Sequence, residues 1–286
     1  MRLGYVGLDN SHADQLTRMV NVQRPDGLPE ARFTHLWGRD AARAKVVQEK
    51  GQVPTICARI EDMIGHVDGV VVGARAGDRH LAEARPLIEA GLPVFVDKPL
   101  TNTLADAEAL LDLAEAHKVR LTSFSGLRVA PEVTEFKAKY TAIDADKYGG
   151  AISGHGDNTN PYGGWYFYAV HSLEMLLEVW GLRGGEVLAA EIASQLHLRC
   201  ALDNGQIVTI QLSEKFPPFS LIGFIDHNSF ATVVPLGGIQ EQVTRRVVEF
   251  FHGAEDLSRR ELLAPLKVME AVRQSLVTHK AVSYDV

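Results

Sequence analysis

Between residues 1 and 123, short β-branched runs alternate with amphipathic stretches, and this alternation restricts the chain to few architectures. The pattern predicts strands at Leu3 to Val6, Phe33 to Trp37, Gly69 to Val72, Val94 to Val96 and Arg120 to Phe124. Helices are expected between them, from about Ser11, from Ala41 to Lys50, from about Arg79 to Ala90 and from Leu104 to His117. The runs VDGVVVGA and GLPVFVD are almost continuously apolar, as strands covered on both faces must be. Repeated strand, helix and strand dictate right-handed crossovers onto one parallel sheet. The expected fold class is therefore α/β, beginning with a doubly wound parallel sheet.

The pattern changes after residue 123, which sets the expected domains at 1–123 and 124–286. A helix from about Pro131 to Tyr140 leads to a strand near Ala151 to Gly156, then to the loop GDNTNPYGGWYFY. A helix from about Ala169 to Trp180 ends at Gly181, a residue type suited to a helix C-terminus. The runs EVLAAEIAS, LHLRCAL, QIVTIQLS, SLIGFID and FATVVPL follow with no helix between them, which argues for a mostly antiparallel sheet. Helices from about Gln240 to Phe251 and from Arg259 to Val277 close an α+β second domain.

Charge excludes some partners. The formal net charge is −7 and the basic residues are scattered, so neither nucleic acid nor an anionic membrane surface is expected as a partner. No apolar run approaches the ~20 residues of a spanning helix, and no signal peptide is read at the N-terminus. Cys57 and Cys200 stand far apart without a CxxC partner, so no disulfide framework or thiolate metal site is expected and the cytoplasm is the expected compartment.

The stretch GYVGLDNSHADQL carries the first chemical clue. In a Rossmann fingerprint, three glycines serve the turn, the approach to pyrophosphate, and helix packing. Gly7 fills the first position, but Asp9 and His12 fill the others. Two like charges ~4 Å apart repel by roughly 1 kcal/mol in water, and by more where water is excluded, so Asp9 opposes a pyrophosphate. The helix N-terminus, Asn10, Ser11, Arg39 and Arg75 offer compensation. The other reading of Asp9, Asn10 or Ser11 is a plain helix cap. HLWGRD places Gly38 and Arg39 where NAD-selective folds carry an acid, which favours NADP over NAD; Asp40 is either a nucleotide ligand or the next helix cap.

The stretch GLPVFVDKPLTNTLADAEALLDLAEAHKVRL, with Asp97, Lys98 and Pro99, resembles the Gfo/Idh/MocA oxidoreductases. VDGVVVGARAGDRHLAEARPLIEAG, including His80, is similar to that family's preceding strand and helix, and LLAPLKVMEAVRQSLVTHKAVSYDV to its final helix and tail. The resemblance implies a Rossmann domain followed by a domain with an open sheet, through which a homodimer or homotetramer would form. It implies hydride transfer between NADP, or NAD, and a secondary alcohol or ketone of a sugar, polyol or related small molecule. The expected cofactor residues are Gly7, Asp9, Asn10, Ser11, His12, Gly38, Arg39, Ala74, Arg75, His80, Asp97 and Lys98.

Lys98, directly after a buried strand and fixed by Pro99, suits a cofactor cleft, although a surface lysine at a strand end is the plainer reading. The resemblance gives it the reacting hydroxyl, where its charge favours an alkoxide-like transition state. His171 matches the family's proton-transferring histidine, but Phe167 stands where a substrate-holding carboxylate is usual. Tyr168 and Glu174, three residues before and after His171, share its helical face and are expected to supply a hydrogen bond or orient the ring, with Tyr168 the third catalytic candidate. Arg128, Asp157, Asn158, Trp165, His171 and Glu174 are the expected substrate contacts, with His155, Asn160 and Tyr162 nearby. A sensor that has lost hydride chemistry is the alternative suggested by Asp9 and Phe167. A metal site from His155, Asp157, His171, Glu174 or His197 lacks any fixed ligand spacing, and none is expected.

Overall fold

The strands read from the first half build a single parallel sheet in a computed structural model that describes residues 1–215 and 218–286. They are β1 (Arg2–Val6), β2 (Arg32–Trp37), β3 (Thr55–Ile56), β4 (Gly69–Val72), β5 (Val94–Asp97) and β6 (Leu121–Phe124), in the order β3-β2-β1-β4-β5-β6. Helices α1 (Ser11–Arg18), α2 (Ala41–Gly51), α3 (His80–Glu89) and α4 (Leu104–Ala116) alternate with them. Every residue of β4, β5 and β6 is buried, which is why VDGVVVGA and GLPVFVD, around β4 and β5, read as almost continuous apolar runs. The strand order reverses direction at β1 and β4, whose carboxyl ends lie level at Val6 and Val72. In open α/β sheets this reversal is where ligands bind. Asn10 caps α1, Asp40 caps α2 through the Ala42 and Arg43 N–H groups, and Thr103 caps α4. The capping reading is thus the one that holds for Asp40.

The remaining segment forms α5 (Pro131–Ala142), β7 (Lys147–His155), α6 (Tyr166–Trp180), β8 (Gly185–Ile192), β9 (Gln195–Leu202), β10 (Ile207–Ser213), β11 (Phe219–Ile225), β12 (Asn228–Val234), α7 (Ile239–Phe251), α8 (Arg259–Thr278) and β13 (Val282–Tyr284). Its sheet runs β12-β11-β7-β10-β9-β8-β13 and is antiparallel except where β7 lies parallel to β10. Alternation along β9 and β10 buries Leu196, Leu198, Cys200, Val208, Ile210 and Leu212 on one face. At the centre, Gly149 has φ +114°, and a Cβ there would fall 2.6 Å from the Ile207 carbonyl carbon. Glycine lets β7 fit against β10 there.

By contact, the chain divides into Met1–Phe124 with Gln240–Arg259, and Ser125–Ile239 with Arg260–Val286. A single break after residue 123 therefore misses a return segment. Phe251 fills the space over Gly69, where a Cβ would come within 2.5 Å of its ring. Arg120 donates to Phe250 O at 2.8 Å and to Asp256 Oδ2 at 3.0 Å, fastening the segment to β6. A sequence boundary cannot register contacts that span 130 residues or more.

Candidate functional site

In the first unit, the candidate residues gather at the carboxyl ends of β1, β2, β4 and β5. Gly7 has φ +83°, and a Cβ on it would fall 2.6 Å from Ala74 Cα, so the turn after β1 admits only glycine. The Gly7 N–H is held by Trp37 O at 3.0 Å. Asn10 accepts the Ala13 N–H at 3.0 Å and donates to Gly73 O, joining the start of α1 to the end of β4. Ser11 begins α1 and is exposed. Gly38 lies under Leu8, where a Cβ would meet the leucine side chain at 3.0 Å.

Asp9 does not stand as a bare negative charge. Its carboxylate accepts the Arg75 N–H at 3.1 Å and pairs with the Arg79 guanidinium. Partial burial works to raise its pKa, but the Arg75 and Arg79 hydrogen bonds outweigh that and hold it below the ordinary carboxylate value. His12 Nδ1 lies 2.6 Å from Asp97 Oδ2, and Asp97 Oδ1 accepts the Lys98 N–H at 2.9 Å. Burial opposes ionisation of Asp97, while His12 and Lys98 more than offset it and lower the pKa. His80 is fully buried, with Nδ1 2.9 Å from Pro99 O and Nε2 2.8 Å from Ala74 O. It braces two loops.

Three residues of this cluster were invisible to sequence reasoning. Arg43 donates to Leu8 O at 2.7 Å and Asn10 O at 2.6 Å, pinning the β1–α1 turn from α2. Arg79 neutralises Asp9, and Glu83 accepts the Arg39 Nε–H at 3.2 Å. The Arg39 guanidinium also lies 5.7 Å from the Trp37 ring centroid. Only the clustering of arginine and acid in ARAGDRHLAEAR hinted at these pairs.

In the second unit, α6 carries His171 to a buried partner, Ser125, with Oγ 2.6 Å from Nδ1. Ser125 Oγ accepts the Leu127 N–H at 3.1 Å, and Ser125 N–H donates to Glu174 Oε2 at 2.9 Å. His171 and Glu174 therefore share one serine, while Phe219 lies edge-on to the imidazole at 5.7 Å. Phe167 is packed among Tyr162 and Tyr168 at 5.6 and 4.7 Å, and Tyr168 also meets the His155 ring at 4.1 Å.

Other expected substrate contacts are engaged within the protein. Arg128 is buried between Glu178 at 3.0 Å and Glu261 at 3.2 Å, which makes it a clasp between α6 and α8. Asp157 accepts from Thr159 N at 2.8 Å, and Asn158 and Trp165 donate to Glu191 at 3.3 and 3.2 Å. These bonds shape the polar loop. Among the described residues, no three or more His, Cys, Asp or Glu side chains are grouped to hold a metal ion, and no helix is long and apolar enough to cross a membrane.

Residues 1–125 match the family described as an oxidoreductase family with an NAD-binding Rossmann fold. Inositol 2-dehydrogenase of Corynebacterium glutamicum (strain R) is 36% identical over 117 residues, covering 40% of this chain and 32% of that protein. The match thus spans about a third of that relative's length. A probable dehydrogenase from Thermotoga maritima has a TM-score of 0.84 at 15% identity, covering 99% of this chain and 98% of its own. Scyllo-inositol dehydrogenase from Lactobacillus casei, solved with NAD(H) and scyllo-inositol, has a TM-score of 0.81 at 12% identity, covering 99% of this chain and 98% of its own. At such identities the two structures show a shared fold. The sequence match thus joins residues 1–125 to the Gfo/Idh/MocA oxidoreductases, and the structural likeness extends their fold over the whole chain.

Proposed function

We propose that the chain is a nicotinamide-dependent dehydrogenase or reductase acting on a secondary alcohol or ketone of a sugar, an inositol-like polyol or a related small molecule. The observation that carries the reading is the turn after β1. Gly7 packs against Ala74, Asn10 opens α1, and Arg79 and the Arg75 N–H already answer the Asp9 charge. Arg79 Nε and Glu83 Oε2 are buried with no hydrogen-bond partner among the described residues, an unmet donor and acceptor in the same charge cluster. A dinucleotide supplies groups of both kinds, so these residues fit it.

In this reading Gly7, Asn10 and Ser11 hold the pyrophosphate at the start of α1, and Arg39 bears on NADP against NAD. When bound, the nicotinamide ring takes up or returns hydride. Lys98 bonds the reacting oxygen and stabilises negative charge developing on it. His171, oriented by Ser125, is assigned the exchange of a proton with substrate. Glu174 fixes Ser125 through its N–H, and Tyr168 supports the polyol end of the site beside His155. The inositol dehydrogenase relatives support a polyhydroxylated substrate.

The test is a polyol and ketone screen with NAD(H) and NADP(H), followed by Lys98→Ala and His171→Ala. Each variant is expected to lose at least ~100-fold in kcat/KM. Nucleotide binding without turnover on any substrate would instead indicate a binding protein. We also propose a homodimer or homotetramer formed through the open face of the second sheet, where Ala151, Ser153, Ala190, Ser220 and Ile222 line a shallow trough. Light scattering of the purified protein checks this, and a monomer would refute it.

A further inference from the structure

The end of β2 gives no acid to a ribose, and Arg39 stands there as if to receive a 2′-phosphate. The structure adds a carboxylate from elsewhere. Glu83, on the first turn of α3, has a side chain only 2% exposed, and its Oε1 accepts from Arg39 at 3.2 Å. Arg79 Nη1 lies 4.0 Å from the same oxygen and its other terminal nitrogen pairs with Asp9. Charges therefore alternate along Arg39, Glu83, Arg79 and Asp9, with no formal excess of positive charge. Glu83 Oε2 is left buried and without a hydrogen-bond partner among the described residues.

An ionised carboxylate only accepts hydrogen bonds. Its natural complement is a hydroxyl, whereas a phosphate ester brings further negative charge and no donor. We propose that Glu83 makes this site selective for a dinucleotide with a free ribose 2′-hydroxyl, NAD, over its 2′-phosphorylated counterpart, NADP. It does so by occupying Arg39 and by placing an acceptor-only group beside it. This rests on reading the first unit as a dinucleotide site, and it reverses the preference that HLWGRD alone suggests. The pairing joins positions 44 residues apart, which no local motif records.

Fluorescence titration with NADH and NADPH measures both dissociation constants for the wild type, Glu83→Gln and Arg39→Ala. The wild type is expected to bind NADH at least ~10-fold tighter, and Glu83→Gln to shift the ratio ~10-fold or more toward NADPH. In Arg39→Ala the buried Glu83 carboxylate loses its nearer cation, so NADPH is expected to bind at least ~3-fold more weakly and the ratio to move further toward NADH. A wild-type preference for NADPH, an unchanged ratio in a folded Glu83→Gln, or a ratio moved toward NADPH in Arg39→Ala would overturn the role of Glu83. Binding of neither nucleotide by the wild type would overturn the dinucleotide reading itself, and the selectivity with it.

Discussion

Ser125 Oγ lies 2.6 Å from His171 Nδ1 while accepting the Leu127 N–H at 3.1 Å. The hydroxyl is buried and has one hydrogen to give, and Nδ1 is the acceptor within its reach. The neutral ring therefore carries its proton on Nε2. In that form Nε2–H hydrogen-bonds a carbonyl oxygen, and Nε2 takes an alcohol proton only in the other tautomer, with Nδ1–H donating to Oγ. Long-range nitrogen–proton NMR of the resting protein is expected to show the Nε2–H tautomer for His171. Ser125→Ala should mix the tautomers and lower kcat about 10-fold, with a smaller change in KM; an Nδ1–H ring in the wild type would contradict the assignment.

We predict that Asp9 lowers nucleotide affinity without abolishing it. Asp9→Asn keeps an acceptor for the Arg75 N–H and releases Arg79 toward phosphate, so NADH should bind ~3–5-fold tighter, in line with roughly 1 kcal/mol of relieved repulsion. Calorimetric titration measures this. Weaker binding would mean that Asp9 serves chiefly to position Arg79.

The pKa of Asp97 is depressed, with the opposing effect of burial outweighed by His12 and Lys98. A depressed carboxyl binds fewer protons folded than unfolded, so its stabilisation is present above the ordinary pKa of 3.8 and fades as acid carries the pH down through the folded value. Asp97→Asn is expected to cost ~1–3 kcal/mol near neutrality and less in acid. Urea melts at pH about 7 and about 2.5, the second below the ordinary carboxyl value, compare the two; an equal cost at both pH values would show that ionisation plays no part.

Gly7→Ala combines a positive φ with a Cβ driven into Ala74. It should destabilise the first unit by more than ~2 kcal/mol and abolish nucleotide binding. Thermal melts with and without NADH test it, and a variant as stable as wild type would show that the turn can relax.

What the sequence made legible follows physical range. Unbroken apolar runs such as Val70 to Val72 announce a strand covered on both faces, so the parallel sheet was readable. The edge strands β3 and β13, of 2 and 3 residues, carry too little pattern to be seen. Gly7, Asn10, Lys98 and His171 could be singled out as candidates because each sits at the end or start of an element with its own local grammar. Arg43, Glu83 and Ser125 were not, since each works through a partner at least 33 residues away. Arg128, read as a substrate contact, bonds Glu178 and Glu261, and Trp165, read likewise, bonds Glu191, partners that no local pattern announces.

The return of Gln240–Arg259 to the first unit also bears on gene dissection. A fragment ending at residue 124 would present the Gly69 hollow bare of Phe251 and leave the Arg120 guanidinium without Asp256. The nucleotide half of this chain is thus not a detachable cassette: its last wall is translated after nearly the whole of the other half, and nascent chains must wait for that wall before the sheet is sealed.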